Sequence, residues 1–126
     1  MEDFVNFELA KKLKEKGFDL EETEIYGKFD SDGLFHSQLY FSYIETMDYD
    51  EIIAATISQV LKWLRDEKKL YVGVTYLPKD VDYKDLYYAY IEHIGDYKKT
   101  IYTNDSYDNW EEAALNGINY VLDNLI

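Results

Sequence analysis

Apolar and polar positions along this chain follow two periods, and the switches between them mark out its elements. From Phe4 to Lys16, Leu9, Leu13 and the flanking phenylalanines make an apolar side, and Lys11, Lys12 and Lys14 a polar one, which predicts a helix. Gly17 supplies a left-handed stop. The lysines of the last turn suit the negative end of the helix dipole, and Phe18 is placed to fold back on Leu13, as a Schellman ending requires. Glu24–Phe29 and Leu34–Tyr43 then read as a hairpin around Asp30-Ser31-Asp32-Gly33, a run with turn chemistry. At period two, Phe35, Leu39, Phe41 and Tyr43 share one face, and His36, Gln38, Tyr40 and Ser42 the wetter one. The acidic stretch from there to Ala55 reads as a loop, with room for a short helical turn.

Helical spacing returns at Ile57, Val60, Leu61 and Leu64, widened by Trp63, and predicts a helix to about Lys68. Thr56-Ile57-Ser58-Gln59 fits a capping box, with Ala55 and Val60 placed for the hydrophobic staple. Three strands follow. In Leu70–Leu77, the side bearing Leu70, Val72, Val74 and Tyr76 opposes Tyr71, Gly73 and Thr75, and Pro78 closes the strand. In Leu86–Ile94, the side bearing Tyr87, Ala89, Ile91 and His93 opposes Tyr88, Tyr90 and Glu92. Gly95-Asp96 is a turn, and Lys98–Thr103 is a shorter strand with Ile101 opposite in sense to Tyr102. Last, Trp110, Ala113, Ala114, Gly117, Ile118, Val121, Leu122 and Leu125 form one apolar helical stripe, with Asn109 as N-cap and Glu112 three residues on. The expected fold is α+β, a mainly antiparallel sheet with helices on one face in the order α-β-β-α-β-β-β-α, a single domain over 1–126.

Residues 55–69 and 109–126, the two capped helices, resemble small uncharacterised proteins carried by phages and prophages of gut anaerobes. Members of that group often carry Pro where Ala55 stands. The resemblance implies a mobile-element origin and brings no activity with it. The α-β-β-β-α order of Thr56–Ile126 also matches that of double-stranded-RNA-binding domains. Those domains place basic side chains on phosphates, and the final helix here has none.

Charge changes the picture further. The chain of 126 residues holds 26 acids against 13 bases, a formal net charge of −13. Such a surface repels phosphate backbones and anionic membranes, so neither nucleic acid nor membrane is expected as a direct partner, and a basic protein is the natural complement. Cys is absent, which excludes disulfides and thiolate metal sites. No apolar run spans a bilayer and Met1-Glu2-Asp3-Phe4 lacks a basic signal-peptide start, so a cytoplasmic protein is expected.

Little catalytic chemistry can be assembled. Asp30-Ser31-Asp32-Gly33 opens like a calcium loop but lacks the later ligands, and reads better as a solvated turn. Asp48-Tyr49-Asp50-Glu51 reads as a solvated acidic loop. His36 and His93 are the only histidines, no Gly-x-Ser-x-Gly elbow is present, and the six glycines stand singly. No metal, cofactor or catalytic residue is assigned.

The tyrosines are the distinguishing feature. If helices cover the face bearing Val72, Val74, Ala89, Ile91 and Ile101, the opposite face presents Tyr71, Tyr88, Tyr90 and Tyr102. These four, with Asp48, Asp50 and Glu51, are the candidate partner-binding residues. The expected function is a non-enzymatic phage or prophage accessory protein that binds a protein through an acidic, Tyr-rich surface, with nucleic-acid mimicry against host defence its most specific form. The alternatives are a homo-oligomeric scaffold that uses the tyrosine face on itself, and then a small-molecule-binding or enzymatic domain.

Overall fold

Asn6 opens the first helix, α1 (Phe7–Glu15): its side-chain Oδ1 accepts from the Leu9 N–H at 2.9 Å in the computed structural model, which describes residues 3–37, 52–77, 86–103 and 105–126. The helix therefore starts three residues later than the apolar pattern suggests, because Asn6 satisfies a first-turn donor that Phe4 could not. At the other end Phe18 N–H donates to Leu13 O and Gly17 N–H to Lys14 O, with Gly17 at φ +86°, the two hydrogen bonds of a Schellman motif.

Among the described residues the chain divides into two compact units, 1–56 and 57–126. In the first, β1 (Gly27–Phe29) pairs antiparallel with β2 (Phe35–Ser37) on one side and with β3 (Ile52–Ile53) on the other. Strand β3 corrects the expectation of a loop up to Ala55. Two residues are too few to show a period, and it is pairing with Lys28 and Phe29 that makes Ile52 and Ile53 a strand. Val5, Leu9, Ala10, Leu13, Phe18, Ile25, Phe29, Ala54 and Ala55 are buried. Phe35, Phe4 and Phe29 meet with ring centroids 5.0 and 5.9 Å apart, and Phe7 meets Phe29 at 5.5 Å.

In the second unit α2 (Ile57–Glu67) leads into β4 (Leu70–Leu77), β5 (Leu86–His93), β6 (Asp96–Tyr102) and α3 (Trp110–Asn124). Thr56, buried, directly precedes α2, the position the capping box assigns to it. The three strands form an antiparallel sheet in the order β4-β5-β6. The pairing of β4 with β5 is unbroken from Leu70↔His93 to Leu77↔Leu86, whereas β5 and β6 slip in register between Ile91 and His93. The turn lies on Ile94 and Gly95 (φ +94°), so Asp96, expected in the turn, is the first residue of β6.

Asn109 Oδ1 accepts from the Glu112 N–H at 2.8 Å and starts α3 where the sequence indicates. Ala113, Ala114, Gly117, Ile118, Val121 and Leu122 are buried. Gly117 sits on the sheet so closely that a Cβ there would lie 2.7 Å from Val72 Cγ1 and 2.8 Å from Ala89 Cβ. Trp110 departs from the expected stripe: it is the helix's first residue and stays 40% exposed. The fold is α+β, with two three-stranded antiparallel sheets among the described residues in place of one.

Candidate interaction surface

Residues with the parity of Val72 on β4 and of Ala89 and Ile91 on β5 point to the helices, and Ala89 and Ile91 are fully buried. One residue along, each strand presents its other face. There Tyr71 and Tyr90 stand with ring centroids 6.2 Å apart, Tyr90 and Tyr102 6.4 Å apart, and Tyr102 and Tyr88 6.4 Å apart, so the four form one unbroken row across three strands. Tyr102 is 62% and Tyr71 41% exposed, while Tyr88 and Tyr90 between them are half-buried.

Gly73 explains the packing at one end of the row. It pairs with Tyr90 across the ladder, and the Tyr90 ring lies directly over the glycine, in the space a side chain at 73 would fill. A ring laid on a strand glycine restores the cover that glycine lacks. Burial pushes the Tyr90 hydroxyl above its ordinary value near 10, and the negative charge that Tyr71 and Glu92 can carry adds to the shift. A side-chain hydrogen bond with Tyr71 adds to the shift, so the protonated hydroxyl is engaged within the row. Glu92 stands opposite Tyr71 on the same face, which gives the row an acid beside its aromatic rings.

A second tyrosine pair had no signal in the strand pattern. Tyr76 and Tyr87 meet with ring centroids 5.5 Å apart, tilted at 48°, on the opposite face of the sheet at the end of β4, and Tyr76 is 47% exposed. Period two put both on the helix-facing side, where Tyr76 is nonetheless exposed.

The remaining chemistry is local. Asp30 Oδ1 accepts from the Asp32 and Leu34 N–H groups, at 2.9 and 3.0 Å, and Oδ2 meets His36 Nε2 at 2.8 Å. The His36 bond foremost, with the Leu34 amide, holds the Asp30 carboxyl below the usual carboxylate range. Both oxygens are engaged in organising the hairpin turn. His93 ends β5 and its Nδ1 lies 3.2 Å from Lys99 O. Among the described residues no three His, Cys, Asp or Glu side chains gather as a metal site requires, and no helix is long and apolar enough to cross a membrane. Asp48, Asp50 and Glu51 lie outside the described residues. No protein-family model, curated protein or solved structure matches the chain.

Proposed function

We propose that the chain is a non-enzymatic accessory protein of a phage or prophage that binds a protein partner through the tyrosine row of its second unit. The observation that carries this reading is the continuity of Tyr71, Tyr90, Tyr102 and Tyr88 on one sheet face, with the two ends of the exposed aromatic surface at Tyr71 and Tyr102. Tyrosine offers a large rigid contact area with few rotatable bonds and a hydrogen-bonding tip, which suits the centre of an interface. Glu92 on the row and a net charge of −13 favour a partner with a basic surface, whose Arg or Lys side chains can lie over tyrosine faces. Mimicry of nucleic acid, directed at a host defence enzyme, is the specific form that this charge supports. The mobile-element origin rests on the resemblance of 55–69 and 109–126.

Capture from a lysate of an anaerobic gut bacterium tests this reading. The wild-type chain is expected to retain a basic protein at low salt and release it at several hundred millimolar chloride, because charge complementarity is screened beyond about 8 Å at physiological ionic strength. Tyr88→Ser with Tyr102→Ser is expected to leave the protein folded and abolish capture. An acidic partner, or capture unchanged by the double substitution, would remove the tyrosine row from the account.

A further inference from the structure

Among the described residues β4 is an edge strand, and its own sequence carries none of the devices that protect such an edge. Leu70–Leu77 holds no charge and no proline, and its pairing with β5 has no bulge. The strand at the other edge of the described sheet, β6, carries Asp96 and Lys99 and a register slip, devices that discourage further pairing. Which backbone groups β4 turns outward follows from its ladder. Ile94 N–H donates to Lys69 O, so 69 and 94 form a hydrogen-bonded pair, and alternate residues from there bond toward β5. The amides of Val72 and Val74 therefore face away from β5. The far side of β5 agrees, since Tyr87 exchanges bonds with Tyr107 and Ala89 O accepts from the Thr103 N–H. Among the described residues no strand pairs with that outer edge. It borders a groove of about 260 Å³ lined on the helix side by Leu61, Arg65 and Trp110, the last of these 40% exposed.

We propose that this edge pairs with the same edge of a second copy, antiparallel about a two-fold axis through Gly73, to give a continuous six-stranded sheet. Three observations favour a second copy over a foreign strand. The sequence about Gly73 is self-compatible: Val72 faces Val74 of the partner subunit as a hydrogen-bonded pair, and Tyr71 faces Thr75 of the partner subunit, with no like charges opposed on a chain that is otherwise strongly acidic. The axis falls on a non-hydrogen-bonded pair, where Cα atoms come within about 4.5 Å, and glycine stands there. The pairing of equal parities keeps both helix layers on one side and joins the two tyrosine rows on the other. This edge adjoins the tyrosine face of the proposed function at Tyr71, but the pairing is made by backbone hydrogen bonds and stands or falls without that function.

Sedimentation and amide hydrogen exchange of the full chain, from about 5 to about 500 µM, test the pairing. The expected result is a reversible dimer, with exchange of the Val74 amide slowing as the dimer forms. Tyr71→Lys with Thr75→Lys sets lysine against lysine across the axis and is expected to give a monomer. Tyr71→Lys with Thr75→Glu sets lysine against glutamate and is expected to dimerise. A wild-type chain that stays monomeric with an unprotected Val74 amide overturns the proposal and leaves the edge to a foreign strand. A dimer that both double variants keep, or a wild-type dimer in which Val74 exchange is unchanged, places the contact elsewhere and overturns it equally. Should either variant fail to fold, the wild-type exchange result decides alone.

Discussion

Lys69 holds φ +56°, the one described non-glycine residue in the left-handed region, between the end of α2 at Glu67 and the start of β4. Its carbonyl must face Ile94 to close the β4–β5 ladder, and that requirement sets the strained conformation. A left-handed residue with a Cβ costs about 1–2 kcal/mol, and glycine gives back about 0.5–1 through its greater unfolded freedom. Lys69→Gly is therefore expected to raise stability by about 0.5–1 kcal/mol, read as a melting temperature higher by a few degrees. An unchanged or lower value would mean that the ladder does not impose this conformation. Asp30 gives a pH signature at the same scale. Its carboxyl titrates below the unfolded value of about 3.9, so its contribution is whole above that pH and is lost as the pH falls through the lower native value. Asp30→Asn keeps an acceptor for the turn amides and removes the charge. The stability gap between wild type and variant is expected to be constant near neutrality and to narrow below about pH 4; a gap of the same size at pH 2.5 would separate the turn from the ionised carboxylate.

The helix α3 and the sheet beneath it are coupled through Gly117. In an isolated helix alanine is better than glycine by about 1 kcal/mol. Here the added methyl would meet Ala89 Cβ, which is fixed to the backbone of the central strand and cannot turn aside. The helix must lift, and overpacking of this kind costs about 1–3 kcal/mol. Gly117→Ala is expected to be destabilising by denaturant titration despite the gain in helix propensity, and a stabilised protein would show that the helix lies further out. The same contact shows how much of the element scale was legible. The small residues Ala113, Ala114 and Gly117 signal close approach to a sheet, and the caps at Asn109 and Gly17 are readable from side-chain chemistry alone. Asn6 was hidden by the phenylalanines on either side, which suggest an earlier start. Strand β3 was hidden because two residues carry no period.

For the whole molecule, charge and topology pull apart. The second unit repeats the α-β-β-β-α order of double-stranded-RNA-binding domains, yet α3 carries Glu111, Glu112 and Asp123 and no base. Affinity for a nucleic-acid backbone comes from cations that displace its counterions. No retardation of double-stranded RNA or DNA is expected at physiological salt; a shift that weakens as salt is added would reveal a basic site that the net charge conceals.

The sequence by itself determined the elements of the second unit nearly to the residue, the faces of β4 and β5, and the identity of the four tyrosines in the row. Period two and period 3.6 are local properties, and a strand with one face buried admits only one parity. Only the tertiary structure decided that the described strands make two sheets, that Tyr76 and Tyr87 form a separate pair with Tyr76 exposed, and that among the described residues β4 is left at an edge with the Val72 and Val74 amides turned outward. Strand order and hydrogen-bond direction depend on which partner each strand finds across the fold, and no spacing within a single segment carries that information.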